Sequence, residues 1–264
     1  MEATHGDEAE LLDVAVESAR RAGALLLDGL GRARQIETKS SATDMVSEMD
    51  RAAEALVRVV LAERRPGDAI LGEEGGAQAG ETGVRWIVDP LDGTTNFLYQ
   101  FPHWAVSVAA ERDGVVVAGA VFDPSHDELW TAEHGRGAYL NGAPITPLTD
   151  RGGAATALVA TGFSYQAADR ETEGRVIAYL LPRIRDIRRA GSAALDLSWV
   201  AGGRVDAYLE AGTHIWDRAA GGLVATEVGA WMGGYDGGPP VDGGVLVARP
   251  ALAAELRALL AEAY

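Results

Sequence analysis

The chain has 264 residues, 47% hydrophobic and 23% charged, a globular composition that excludes wholly disordered and collagen-like classes. Lys and Arg total 23 against 39 Asp and Glu, a formal net charge of −16, so the electrostatic footprint of a nucleic-acid or anionic-membrane binder is missing. No cysteine occurs, which removes disulfides, thiolate catalysis and cysteine-ligated zinc or iron–sulfur centres.

The first ten residues carry Glu2, Asp7, Glu8 and Glu10 with no Lys or Arg, unlike a signal peptide, so the expected location is the cytoplasm. Leu12, Ala15, Ala19, Ala22 and Leu26 recur at three- and four-residue spacing and predict an amphipathic helix over 8–30. A second helix is expected from about Ser47 to Arg65, stopped by Pro66-Gly67. Val84–Val88 reads as a short strand closed by Asp89-Pro90, because proline cannot continue a ladder. Ala105–Arg112 and Val115–Phe122 form two β-rich runs joined by Asp113-Gly114, the preferred pair for a two-residue hairpin turn. The apolar run Val115–Phe122 also falls far short of the roughly 20 residues a spanning helix needs, so no membrane segment is expected. Asn141-Gly142 is a second such turn and extends the sheet.

Beyond residue 155 the pattern predicts a strand (157–161), helices (169–181 and 193–202), a strand (205–209), a helix (217–229), a strand (245–248) and a last helix (250–263) opened by Pro250. Helices and strands alternate without a βαβ rhythm, and the glycine-rich stretch from Gly229 to Gly244 reads as one surface loop. The expectation is mixed, layered α/β (α+β) architecture with largely antiparallel sheets, in one unit over residues 1–264 with two lobes divided near residue 150.

Common phosphate, dinucleotide, hydrolase and zinc motifs are missing, and the five histidines are scattered, so oxygen ligands remain. The informative segment is Asp89-Pro90-Leu91-Asp92-Gly93-Thr94-Thr95-Asn96-Phe97 at the end of a predicted strand. Two carboxylates and the Leu91 carbonyl on a tight loop suit a small hard divalent cation, with magnesium fitting best. Gly93-Thr94-Thr95 then reads as the start of a helix or turn whose unpaired N–H groups can hold phosphate. Asp89 and Asp92 alone also read as a turn plus a helix cap. Two further acidic elements tilt the balance, Gly72-Glu73-Glu74-Gly75 upstream and Trp216-Asp217-Arg218-Ala219-Ala220-Gly221 downstream.

These three segments, in this order and spacing, resemble the inositol monophosphatase family of magnesium-dependent, lithium-sensitive phosphomonoesterases, over nearly the whole chain. The resemblance implies an αβαβα sandwich, usually assembled as a homodimer, that acts on a small-molecule phosphate monoester. It implies that Glu73, Asp89 and the Leu91 carbonyl hold an activating Mg²⁺, that Asp89, Asp92 and Asp217 hold a second, and that a third, weaker ion sits on Glu73 and water. Two metals about 3.5–4 Å apart can stabilise both the attacking and the leaving oxygen of an in-line displacement. The nucleophile implied is a metal-activated water whose proton passes through Thr94 and Asp50.

Asp50 lies in Asp44-Met45-Val46-Ser47-Glu48-Met49-Asp50, which is similar to the family's D-x-V-T-x-x-D segment with Ser47 for Thr. Ser47 and Asp50 also read as a capping box. Lys39 is the only lysine in the chain, at a position where the family has one near the metals; a solvated loop lysine is the alternative. By the same resemblance Gly191, Ser192, Ala193 and Glu210 meet the sugar together with Asp92 and Asp217, although Ser192 and Ala193 read equally as capping and packing positions. His214 is expected to be a structural neighbour of the site rather than a ligand.

The reading reached is a magnesium-dependent phosphomonoesterase acting on myo-inositol 1-phosphate or a related cyclitol or sugar phosphate. Histidinol-phosphate phosphatase is the nearest rival, followed by fructose 1,6-bisphosphatase and 3′-phosphoadenosine 5′-phosphate phosphatase. A metal-stabilised regulatory binding protein is the rival of another class. Against it, Glu73, Asp89, Asp92 and Asp217 gathered in one site would repel each other strongly without cations.

Overall fold

The computed structural model describes residues 2–32, 36–39, 45–240 and 244–264; Ser40, Ser41 and Asp44 of the motifs above lie outside them. Helix α1 (Glu2–Gly29) starts six residues earlier than its apolar pattern predicts. The hairpin β1 (Ile36–Thr38) and β2 (Met45–Ser47) leads into α2 (Glu48–Arg64). Ser47 caps α2: its Oγ accepts from Met49 N at 3.1 Å, and Asp50 accepts in return from Ser47 N at 2.8 Å.

An eight-stranded sheet follows, built from β3 (Ala69–Gly72), β4 (Gly76–Gln78), β5 (Val84–Asp92), β6 (Ala105–Arg112), β7 (Val115–Asp123), β8 (Glu128–Glu133), β9 (Gly137–Leu140) and β10 (Ala143–Pro144). Its spatial order is β10-β9-β8-β7-β6-β5-β3-β4, antiparallel except for the parallel pair β3 and β5. The short helix α3 (Thr94–Leu98) branches from the end of β5. Both predicted hairpin turns form, with positive φ at Asp113 and Gly114 (52° and 79°) and at Asn141 and Gly142 (50° and 77°).

The second sheet has five strands, β11 (Leu158–Thr161), β12 (Asp186–Arg188), β13 (Ala207–Glu210), β14 (Trp231–Gly233) and β15 (Val245–Ala248), in the order β12-β11-β13-β15-β14. Helices α4 (Ala167–Leu180), α5 (Ala193–Ala201), α6 (Ile215–Thr226) and α7 (Pro250–Ala263) complete the chain.

Burial sorts these elements into five layers. Leu11, Val57 and Leu61 of α1 and α2 pack against Trp86, Val108 and Phe122 on one face of the large sheet. Leu195, Ala220 and Val224 of α5 and α6 pack against Ile87, Val121 and Trp130 on its other face. From the same two helices, Leu197, Val200 and Ala225 turn to Tyr208, Val245 and Val247 of the second sheet. Val176, Leu252 and Leu256 of α4 and α7 cover the outer face of that sheet. The order is αβαβα, with α5 and α6 apolar on two sides because both sides face a sheet. Among the described residues no helix is long and apolar enough to cross a membrane.

Three expectations change. Strand β5 does not close at Asp89-Pro90 but runs to Asp92, because a bulge absorbs the proline: Asp89 pairs with Ser107 and Asp92 with Ala105, so β5 carries one residue more than β6. A βαβ unit is present, since β11, α4 and β12 form a parallel pair with a helical crossover. The glycine-rich stretch is not one loop, because Trp231–Gly233 pairs with β15.

Candidate active site

The bulge in β5 decides where the carboxylates go. In an unbroken strand, residues 89 and 92 would face opposite sides, because side chains alternate. The extra residue resets the alternation, and Asp89 and Asp92 line the same cavity of about 520 Å³. Gly93 follows with φ 96°, a left-handed turn that a side chain would strain, and α3 starts at Thr94. Leu91 N donates to Asp89 Oδ1 at 3.0 Å, and Thr94 Oγ1 lies 3.2 Å from the Leu91 carbonyl oxygen and 2.8 Å from Asp50 Oδ1. Asp50 is buried behind Thr94 and does not line the cavity.

Other elements bring the remaining residues to the same space. The β3–β4 turn presents Glu73, whose Oε1 accepts from Lys39 Nζ at 2.7 Å; Lys39 also donates to Glu74. The N-terminus of α5 meets Asp92: Ser192 Oγ donates to Asp92 Oδ2 at 2.5 Å, and Ala194 N to the same oxygen at 2.7 Å. Asp217, in the first turn of α6, accepts from His214 N at 2.6 Å. The His214 ring stacks on Trp216 with centroids 4.8 Å apart. Glu210, at the end of β13, accepts from Tyr208 OH at 2.8 Å.

Lys39, Glu73, Asp89, Leu91, Asp92, Gly93, Thr94, Gly191, Ser192, Ala193, Glu210 and Asp217 all line the cavity, whereas Thr95 does not. Sequence reasoning missed Arg189, Tyr165 and Asp169, which line it as well. Nothing local marks them, since their place depends on how the second sheet stands over the first. It also missed Glu54, a buried carboxylate under the Glu73 turn; its position on the apolar face of α2, one turn after Asp50, was the available signal.

Burial pushes Glu73 up to about 7, against the pull of Lys39 and with the help of Asp217. It pushes Asp92 up to about 7 despite the Ser192 hydrogen bond. Asp89 is held well above the usual carboxylate range, by burial and then by the charges of Glu73 and Asp92. Removed from water, these carboxylates destabilise one another as anions. An all-oxygen, mutually repelling set that includes the Leu91 carbonyl fits a hard divalent cation. Among the described residues, no three acidic or histidine side chains are already gathered as a ligand set.

A sequence profile of the inositol monophosphatase family matches residues 7–264. The chain belongs to this family. It is 46% identical over 211 residues to the inositol-1-monophosphatase SuhB of Mycobacterium tuberculosis, covering 77% of this chain and 72% of the relative. It is 41% identical over 233 residues to a Vibrio cholerae protein named Nus factor SuhB, covering 86% of each. A solved structure of the extragenic suppressor protein suhB from Bartonella henselae superposes with TM-score 0.89 at 36% identity, covering 94% of this chain and 97% of that one. Membership makes the chain a phosphatase, of a family that is in general metal-dependent.

In an inositol monophosphatase-family site, the hydroxyl of Thr94 is poised between a buried carboxylate and the cavity. Thr94→Val is expected to lower turnover by about 100-fold and to destabilise the protein by about 1–3 kcal/mol, because Asp50 Oδ1 loses its donor. Thr94→Ser keeps the hydroxyl and should keep most of both. Phosphate release and urea unfolding of the two variants check this.

Proposed function

We propose that the protein is a magnesium-dependent phosphomonoesterase acting on myo-inositol 1-phosphate or a related cyclitol or sugar phosphate. The observation that carries the reading is the convergence of Glu73, Asp89, Asp92 and Asp217 on one cavity with the Thr94–Asp50 pair behind it. Glu73, Asp89, the Leu91 carbonyl, Asp92 and Asp217 would hold two to three Mg²⁺ ions. When bound, these neutralise the phosphate charge and acidify a water. The chain's own residues do the rest. Thr94 and Asp50 orient that water and accept its proton, and Gly93 and Thr94 offer N–H groups at the start of α3 to the phosphate oxygens. Thr95, outside the cavity lining, has no role in this reading.

Ser192, Ala193 and Glu210 would meet the alcohol part. Burial pushes Glu210 up to about 8 in the metal-free protein, against its bond from Tyr208, and its carboxyl can pair with a substrate hydroxyl. The relative named inositol-1-monophosphatase supports this choice of substrate. The homodimer and the cytoplasmic location expected above belong to the same proposal. So does the reading of residues 1–264 as one unit, supported by the α5–α6 layer that both sheets share.

A second reading, a regulatory binding protein with vestigial hydrolysis, is favoured by the name of the Vibrio relative. Phosphate release separates the two. Myo-inositol 1-phosphate, histidinol phosphate, fructose 1,6-bisphosphate and 3′-phosphoadenosine 5′-phosphate would each be offered with magnesium and with a chelator. Magnesium-dependent release, fastest from myo-inositol 1-phosphate, is the expected result. Preference for another ester would overturn the substrate, and no release from any would favour the binding protein.

A further inference from the structure

We propose that Glu54 is a positioning residue that holds the Glu73–Glu74 turn against the cavity, acting through the backbone and touching no substrate; this rests on the metal-holding role proposed for Glu73. Glu54 is buried on α2. Its Oε2 accepts from Glu74 N at 2.7 Å and its Oε1 from Gly75 N at 2.9 Å. Arg58, one helical turn on, donates from Nε to Glu54 Oε1 at 2.7 Å and from Nη2 to the Gly76 carbonyl oxygen at 2.8 Å. Three successive backbone positions of the β3–β4 turn are therefore bonded to one ion pair on α2. The other end is tied to β5, where Glu73 N donates to Val88 O at 3.1 Å.

The approach leaves no room for side chains. A Cβ at Gly72 would stand 2.4 Å from Glu54 Oε1, and one at Gly75 2.5 Å from it, so glycine at both positions lets the carboxylate reach the turn amides. A buried carboxylate is costly unless paired and fully bonded, and here Glu54 is paired with the half-buried Arg58 and bonded to two amides of one turn. Asp50 sits one turn earlier on the same helix and orients Thr94. Helix α2 is thus a common rail for both halves of the site: Asp50 sets the hydroxyl and Glu54 sets the turn that carries Glu73.

The test is calorimetric titration of the metal-free protein with Mn²⁺ at a temperature where each variant is fully folded. Wild type, Glu54→Gln and Glu73→Gln are compared; Glu54→Gln keeps the shape and removes the charge. Where Glu54→Gln does not fold, Glu54→Asp is read in its place, since it keeps the charge but is one methylene too short for the turn. Mn²⁺ affinity about tenfold weaker in the Glu54 variant is the expected result, the size associated with residues that orient metal ligands. Affinity unchanged while the melting temperature falls would overturn the proposal, leaving Glu54 a structural ion pair. Unchanged affinity in Glu73→Gln would overturn the ligand role of Glu73 itself, and the positioning role with it.

Discussion

Asp89→Asn is expected to lose turnover by about 10³-fold and, free of metal, to melt at a higher temperature than the parent protein at neutral pH. The loss follows from removing a carboxylate that both proposed metal positions share. The gain follows from what surrounds Asp89. Its Oδ1 accepts from Leu91 N at 3.0 Å, a bond the amide oxygen of asparagine keeps. Its other edge faces Glu73, whose charge raises the Asp89 carboxyl after burial has already done so. Asparagine offers an N–H to that carboxylate at every pH, a hydrogen bond that aspartate makes only after taking up a proton, at a cost that grows with pH. Linkage fixes the pH window. A carboxyl raised on folding contributes stability that is fully present below its unfolded value of 3.8 and is lost as pH rises through the folded one. The advantage of asparagine is therefore absent near pH 3.8 and grows toward neutrality. Thermal unfolding of chelator-treated proteins from pH 4 to 8 reads it. An asparagine variant less stable than its parent at neutral pH would show that the carboxylates do not oppose one another.

That trade between stability and turnover rests on a bulge the sequence does not announce. Asp89 and Asp92 were legible as chemistry because aspartates flanking a proline and preceding a glycine restrict the local backbone. Their sharing of a face was not legible, because it depends on the register of β5 against β6, a pairing between Asp92 and Ala105 that no local signal specifies. The end of β5 was misplaced for the same reason, since proline ends a ladder only where its missing N–H would have been used. Helix α2 was readable from Ser47 and Asp50, whose capping bonds are local. Strand β14 was hidden because Trp231 and Met232 are too few to stand out among glycines, and β15 supplies what holds them. The five layers were reached by resemblance; the periodicity of α5 and α6 says that both are apolar but not that they lie between two sheets. Glu54 shows the remaining gap: a glutamate on a buried helix face is a visible anomaly, but its partners lie twenty residues downstream across a strand.

Half-saturating magnesium is expected to rise about tenfold or more for each pH unit below neutrality, and turnover to vanish with a chelator at any pH. Glu73 and Asp92, both pushed up to about 7, must be deprotonated to hold a cation. Below that pH each proton displaced costs about 1.36 kcal/mol per unit, and one or two are displaced on binding. The two states of the protein should then differ in how their stability depends on pH. Without metal, both carboxyls bind protons more tightly folded than unfolded, so their contribution to stability is present in acid and lost as pH rises through about 7. With millimolar magnesium, stabilisation grows with the ratio of free ion to dissociation constant, and that ratio improves as the carboxyls ionise. The melting-temperature difference between loaded and metal-free protein should widen from pH 5.5 to 8, with the acid limb of turnover moving downward as magnesium is raised. Parallel melting curves over that range would mean that Glu73 and Asp92 do not titrate with metal, and would move the cation away from the cavity they line. Divergent curves would show the same burial producing both effects: it makes the empty site costly at neutral pH, and it makes a cation the partner that removes the cost.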